Sequence, residues 1–188
     1  MSSVPDIFVR AVAEFDSKLQ NVGSDDWSNE TPCPGWDVRT LVNHIVDEDL
    51  WVPPLLDGKT IADVGDSISG DHLGDDPLGA WERASKGALE AARAPGAMET
   101  TTHLSFGDLP GAEYSKQVLC DHIVHAWDLA RGIGADDRLD PDLVDFAYGF
   151  YEPQAEAWRA AGAFGPAVEV PGDADAQTRL LGLVGRRR

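Results

Sequence analysis

Residues 114–133 read YSKQVLCDHIVHAWDLARGI and give the strongest helix signal in the chain. Apolar side chains recur there at helical spacing, as they do on the buried face of an amphipathic helix. Gly132 and Gly134 follow the last apolar turn, where glycine commonly ends a helix. Because such a helix must bury its apolar face against other elements, this stretch predicts a fold of packed helices.

The same pattern recurs on both sides of this stretch. It predicts helices at residues 5–22, 36–56, 77–93 and 141–162, and a short last helix at residues 173–183. Asp76-Pro77 and Asp140-Pro141 each supply a capping carboxylate followed by a first-turn proline, a pair that is typical of helix starts. The helix at residues 36–56 is predicted at least to Val52, before two consecutive prolines.

The remaining stretches predict loops and extended chain. Residues 25–35 and 57–76 are rich in proline, glycine or aspartate, so both are expected to be loops. Residues 98–106 alternate as in a short strand or extended crossover, and residues 164–171 are expected to be extended. We therefore predict an all-α, up-and-down four-helix bundle with one long crossover and a short extended C-terminal segment, forming a single domain over residues 1–188.

The acidic composition excludes several classes of partner. The formal net charge is −18 at pH 7. Such a surface repels phosphate backbones and anionic lipid headgroups, so neither nucleic acid nor a membrane is expected as a partner. The basic run at residues 186–188 is short and is expected to be a solvated tail.

Two features predict a cytoplasmic protein. Asp6 and Arg10 fall where a secretory signal peptide needs an uninterrupted apolar stretch, and no segment has the roughly 20 apolar residues of a membrane span. Cys33 and Cys120 lie far apart in sequence and form no CxxC pair, which argues against a disulfide framework or a thiolate zinc site. Both cysteines are predicted to be reduced thiols.

Three residues form a candidate site for a metal ion. Asp121 and His125 stand four residues apart, so both side chains project from one face of the predicted helix. His44 lies in the apolar segment at residues 41–46, where a buried imidazole needs a partner. Two imidazoles and one carboxylate leave open coordination positions and suit Zn²⁺, with Ni²⁺ or Fe²⁺ as alternatives.

Other ligand sets remain open. His122 stands three residues before His125, and Glu48 stands four residues after His44, so either could replace Asp121. The same side chains could instead form a buried polar network without a metal. His72 and His103 are expected at the surface. Asp128 and Arg131 are expected to form an ion pair on the helix surface, although Arg131 could face a substrate carboxylate.

Three motifs carry a resemblance to a known family. They are TPCPGWDVR at residues 31–39 followed by LVNH at residues 41–44, DHIVHAWDLARGIG at residues 121–134, and FGP at residues 164–166 with RLL at residues 179–181. In combination they resemble the mycothiol-dependent maleylpyruvate isomerase N-terminal domain family, a branch of the actinobacterial DinB/YfiT-like metal-binding bundles.

The resemblance implies a site and a chemistry. It assigns one metal ligand to a His on the second helix and two to an acidic residue and a His on a later helix, which fall on His44, Asp121 and His125. The family often has Glu at the acidic position, so Asp121 is a shorter arm. In relatives the metal activates a low-molecular-weight thiol, mycothiol or bacillithiol, for isomerisation or S-transfer.

We therefore expect a divalent-metal protein that acts as a mycothiol-dependent transferase or isomerase-like enzyme. Its partners would be a small-molecule thiol and an electrophilic substrate, and bundles of this type often pair as homodimers. The alternative is a metal-binding stress or sensing module without catalysis.

Overall fold

Side-chain caps fix where the main helices begin in the computed structural model, which describes residues 2–188. Ser3, Asp37, Asp76, Asp140 and Asp175 each accept a hydrogen bond from a backbone N–H of the first helical turn. These N–H groups have no partner within the helix, so a capping oxygen stabilises each start. The helices are α1 (Val4–Leu19), α2 (Val38–Leu56), α3 (Ile61–Val64), α4 (Pro77–Ala92), α5 (Gly111–Gly132), α6 (Pro141–Tyr151), α7 (Ala155–Ala160) and α8 (Ala176–Leu183).

The four long helices share one core. α1 packs against α5 and also touches α4, whereas α2 packs against both α4 and α5. The core is filled by large apolar side chains that include Phe8, Phe15, Leu41, Ile45 and Trp127. α6 and α8 pack on each other, and α6 also contacts α5.

The prediction of a mostly helical fold is confirmed, but the up-and-down four-helix bundle is not. In an up-and-down bundle α1 would lie beside α2 and α4 beside α5. Besides the extensive contacts of α1 with α5 and of α2 with α4, the structure instead joins α2 with α5 and α1 with α4. The hydrophobic pattern shows which face of each helix is buried, but it does not show which neighbour covers that face.

A hairpin replaces the predicted lone strand at residues 98–106. Strand β1 (Thr101–Leu104) pairs antiparallel with β2 (Gly107–Pro110), and the register joins Thr101 to Pro110 and Leu104 to Gly107. The sequence of β2 has no alternating pattern of apolar residues, so nothing local predicts it as a strand.

Several predicted helix ends need correction. The helix predicted at residues 141–162 is interrupted by a 3-10 turn at Glu152–Gln154, where Pro153 cannot donate a backbone hydrogen bond. α1 ends at Leu19, and residues 20–22 continue as single turns. The expected loop at residues 57–76 contains the short helix α3, which Thr60 and Asp63 cap reciprocally. The end predicted for α2 is confirmed, because the helix continues through Pro53 and Pro54 to Leu56.

None of the helices among residues 2–188 is both long and apolar enough to cross a membrane.

A close backbone contact holds the start of α5. The N–H of Gly111 donates to the carbonyl oxygen of Thr100 at 2.7 Å, and the N–H of Ala112 donates to that of Met98 at 2.9 Å. A Cβ atom at Gly111 would lie 2.0 Å from the backbone oxygen of Ala97, which cannot move as a flexible side chain can. Glycine is therefore required where the hairpin joins α5.

Gly111→Ala is expected to lower the free energy of unfolding by about 2 kcal/mol or more, because the added methyl meets backbone in a packed region. The measurement is urea unfolding followed by circular dichroism. Gly149→Ala is the matched control: a Cβ there contacts nothing within 4 Å, so helix propensity alone should stabilise the protein by about 0.5–1 kcal/mol. Equal midpoints for the Gly111 variant and the parent would contradict this account.

Candidate metal centre

The packing of α2 on α5 brings the three predicted ligands together. Nε2 of His44 lies 2.8 Å from Oδ2 of Asp121, and Nε2 of His125 lies 3.5 Å from Oδ1 of the same carboxylate. One candidate ligand atom from each residue falls within 4.8 Å of the others. The helical spacing of Asp121 and His125 makes this possible, because residues four apart lie one above the other on a helix face.

The three side chains are strongly coupled electrostatically. Burial opposes protonation of His44, but the hydrogen bond and charge of Asp121 outweigh it and raise the pKa of His44. Burial also opposes protonation of His125, but the charge of Asp121 together with the hydrogen bond and charge of Asp128 raises its pKa. Burial alone would raise the pKa of Asp121, yet the two imidazoles hold it well below its ordinary value. Without a cation, the carboxylate is thus neutralised by its histidine neighbours.

Trp36 covers this group from one side. Its ring lies 4.9 Å from that of His44 and stacks on that of His125 at 5.8 Å. Trp36 belongs to the CPGW turn before α2, and its backbone N–H donates to the carbonyl oxygen of Cys33. The loop motif therefore places an aromatic wall beside the histidines.

A buried carboxylate orients His125. Oδ2 of Asp128 accepts a hydrogen bond from Nδ1 of His125 at 2.9 Å, so the other ring nitrogen, Nε2, is the one that faces Asp121. Metal-binding histidines commonly have such a carboxylate behind them, because it fixes the ring and its tautomer. Asp128 thus belongs to the interior, and the predicted surface pair of Asp128 with Arg131 is wrong: Arg131 lies 3.4 Å from Asp137 instead.

Arg186 neutralises this carboxylate. Its Nε donates to Oδ1 of Asp128 at 3.1 Å and its Nη2 donates to Oδ2 at 2.9 Å. The side chain is only 12% exposed, so the prediction of a solvated tail at residues 186–188 is wrong for Arg186. Its position in a short basic run gave no sign of this, since its partner lies 58 residues earlier in the sequence.

Cys33, His125 and Asp128 form a second group with metal-ligand spacing, but Arg186 already supplies a cation there. Nη2 of Arg186 donates to Sγ of Cys33 at 3.1 Å, and Sγ donates to Oδ2 of Asp128 at 3.1 Å. Burial and the charge of Asp128 raise the pKa of the Cys33 thiol to about 12. Cys33 is therefore a protonated donor, and both cysteines are free as predicted.

His122 points into the bundle core. Its Nδ1 donates to the carbonyl oxygen of Val118 at 2.8 Å, and its Nε2 lies 3.3 Å from the fully buried carboxylate of Asp49. The rings of Phe8, Phe15 and Trp81 surround it. His122 thus has partners of its own and faces away from the group formed by His44, Asp121 and His125.

The other two histidines pair with carboxylates outside this group. His103 is partly exposed as expected, but the expected surface position is wrong for His72, whose side chain is only 12% exposed. His72 pairs with Asp47 at 2.8 Å, and His103 pairs with Asp108 across the hairpin at 2.8 Å.

Glu48 and Tyr114 add two polar groups beside the three residues. Burial and the neighbouring charge of Asp121 raise the pKa of Glu48 to about 7. The hydroxyl of Tyr114 is buried and finds no hydrogen-bond partner among residues 2–188. A buried hydroxyl without a partner is costly, so this one is suited to a ligand that enters the site.

These groups form the floor of a cavity of about 710 Å³. Cys33, Trp36 and Arg186 also line it. The walls are mostly apolar and come from α2, α3, the hairpin tip, and the chain from α6 to α8: Trp51, Leu55, Ile61, Leu104, Phe106, Tyr151, Trp158, Phe164 and Val184. A cavity with an apolar body and a few convergent polar groups is the usual form of a small-molecule site.

Comparison with known proteins gives consistent results. The model of the mycothiol maleylpyruvate isomerase N-terminal domain matches residues 8–130. An uncharacterised protein from two strains of Mycobacterium tuberculosis is 33% identical over 135 residues, which span 72% of this chain and 70% of that protein. The crystal structure of a mutant mycothiol-dependent maleylpyruvate isomerase superposes with a TM-score of 0.66 at 12% identity, covering 89% of this chain and 78% of the other. The resemblance in the sequence motifs is confirmed.

The raised pKa of Cys33 predicts slow reaction with thiol reagents. At pH 8 the metal-free native protein should react with a chromogenic aryl disulfide about a thousandfold more slowly than a free cysteine, because so little thiolate is present. The unfolded protein in urea should react at the free-cysteine rate. Rapid labelling of one thiol that survives in Cys120→Ser and disappears in Cys33→Ser would contradict the assignment.

Proposed function

Because the chain belongs to the mycothiol maleylpyruvate isomerase N-terminal domain family, we propose that it holds one divalent ion through His44, Asp121 and His125 and transfers mycothiol to an electrophile. The observation that carries the proposal is the convergence of these three residues on the floor of a cavity, with Asp128 bound behind His125. Both features are characteristic of metal centres that react rather than merely stabilise a fold.

The donor set fits a divalent transition metal. Two imidazole nitrogens and one carboxylate oxygen suit Zn²⁺ first, with Ni²⁺ and Fe²⁺ as alternatives, and they leave positions for exogenous ligands. Oδ2 of Asp121 now accepts a hydrogen bond from Nε2 of His44 at 2.8 Å. An ion bound by both atoms would take the place of the proton that they share. When bound, the ion supplies positive charge that lowers the pKa of a nearby thiol.

The chain's own residues supply the remaining functions. The Glu48 carboxylate, whose pKa is raised to about 7, accepts the thiol proton, because a base is most effective when its pKa is near the working pH. The Tyr114 hydroxyl donates to the bound ligand. Trp36 and Cys33 cover the histidines and limit the access of water to them.

S-transfer is the reaction that this arrangement serves. The thiol sulfur forms a bond to an electrophilic carbon, the bond from that carbon to its leaving group breaks, and the leaving group departs with the electron pair. Glu48 holds the proton that the thiol released. The cavity is large enough to bring both reactants to the polar floor, so proximity contributes to the rate.

The metal assignment predicts about one equivalent of Zn²⁺ per chain after reconstitution of untagged protein, by analogy with other folded three-ligand sites. His44→Ala should lose this uptake, because one of three protein ligands disappears. The measurement is elemental analysis after dialysis, on variants whose circular dichroism matches the parent.

Two histidine controls sharpen the ligand test. His103→Ala removes an exposed imidazole that pairs with Asp108 and should leave uptake unchanged. His122→Ala should also retain the ion, although it lowers stability because His122 is fully buried. Retention in His44→Ala together with loss in His122→Ala would overturn the ligand choice.

The role of Glu48 predicts that Glu48→Gln lowers kcat by about a hundredfold or more, the usual contribution of a general base. Zinc uptake should stay near one equivalent. The assay follows the conjugation of mycothiol to an electrophile by mass spectrometry, with the zinc content measured on the same sample. If the zinc-loaded parent shows no turnover, the protein is a metal-binding module rather than an enzyme.

A further inference from the structure

The walls of the cavity are strongly apolar above its polar floor. Trp51 and Leu55 of α2 line the cavity together with Leu104 of the hairpin. Trp158 of α7 and Phe164, which follows α7, line it too. The rings of Trp158 and Phe164 stack at 5.6 Å, and Tyr151 packs edge-on against both. This aromatic group offers flat surfaces to a ligand.

The mouth of the cavity exposes apolar side chains that water would disfavour. Only three large apolar residues are exposed in the part of the chain that the structure describes: Ile61 at 38%, Leu78 at 42% and Phe106 at 70%. Ile61 and Phe106 both line the cavity, whereas Leu78 does not. Exposed apolar surface gathered at one opening is typical of a ligand-binding groove.

The charges of the cavity oppose an anionic ligand. Its lining contains the carboxylates of Glu48 and Asp121, and Arg186 is its one cationic side chain apart from the histidines, counted over residues 2–188. Arg186 is already bound to Asp128 through two nitrogens and to the carbonyl oxygen of Val184 through the third. A substrate carboxylate would therefore meet only groups that are already paired: Arg186 with Asp128, His44 with Asp121, and His125 with Asp128. Burying it without a partner of its own is costly.

With a divalent ion and a thiolate both in place, this balance would be the same. Asp121 and a thiolate would together offset its two charges, and Glu48 would still contribute negative charge when ionised. The net charge of −18 on the whole chain adds long-range repulsion of anions.

We propose that the second substrate is a neutral, apolar electrophile with a planar aromatic or unsaturated group, and that the cavity selects against carboxylic acids. This inference rests on the proposed function and names its substrate class. Trp51, Phe106, Trp158 and Phe164 hold the apolar body, and the electrophilic carbon faces the floor. In the transfer step a sulfur–carbon bond forms at that carbon, its leaving group departs with the electron pair, and Glu48 takes the thiol proton.

The test compares the binding of two probes that differ in one charge, dinitrobenzoate and its methyl ester. No thiol is added, so binding is measured without reaction. Nitroaromatic rings quench tryptophan fluorescence, and Trp36, Trp51 and Trp158 line the cavity. In metal-free protein the ester should bind about tenfold or more tightly than the anion, because the buried carboxylate finds no unpaired cation.

Three variants test whether the ester binds in the cavity. Phe106→Ala should weaken ester binding about threefold through lost apolar contact, whereas Leu78→Ala removes a comparably apolar exposed side chain outside the cavity and should leave it unchanged. Phe106→Arg supplies a free cation at the mouth and should narrow the preference for the ester. Since Phe106 and Leu78 are both exposed, none of these three substitutions disturbs the core.

The outcomes separate this inference from the proposed function. The preference for the ester is measured in metal-free protein, because the open positions of a bound ion would accept the carboxylate whatever the walls select. Zinc uptake and turnover test the proposed function separately, on zinc-loaded protein. Equal or tighter binding of the carboxylate, no binding of the ester, or equal effects of the Phe106 and Leu78 substitutions would overturn the substrate class even if the protein binds zinc.

Discussion

Acidic and histidine side chains on a largely buried helix need partners, and α5 carries four of them between residues 121 and 128. His122, His125 and Asp128 are buried, and Asp121 lies at the cavity with its side chain 31% exposed. Unpaired polar groups there would cost several times the net stabilisation of a hydrogen bond. His44 and Asp49 of α2 partner two of them, and Arg186 partners a third. Much of the tertiary arrangement follows from this requirement.

The same requirement produces two different environments on one helix. His122 is enclosed by aromatic rings and bound to a carbonyl and a carboxylate, so it is a structural histidine. His125, three residues later, keeps Nε2 directed toward the cavity because Asp128 holds its other nitrogen. Residues three apart differ by about 60° around a helix axis, and this rotation separates a core position from a cavity position.

Local sequence was informative where the physical cause is local. The spacing of Asp121 and His125 and the apolar surroundings of His44 predicted the group that the structure brings together, and capping signals predicted where α4 and α6 begin. The partner of Asp128 was missed because Arg186 lies far away in the sequence, and a short basic run gives no sign of burial. The strand β2 and the order of helix neighbours were missed because both depend on tertiary contacts.

The ion pair between Arg186 and Asp128 also bears on how members of such a family can diverge. The family model ends at residue 130, yet Arg186 and the aromatic residues Trp158 and Phe164 lie beyond it and line the same cavity. A substitution in this later segment can alter both which substrates fit the cavity and how His125 is oriented. It does so without replacing any of the three candidate ligands. Under the proposed function, selectivity and reactivity can thus change through one part of the chain while the three candidate ligands in another stay the same.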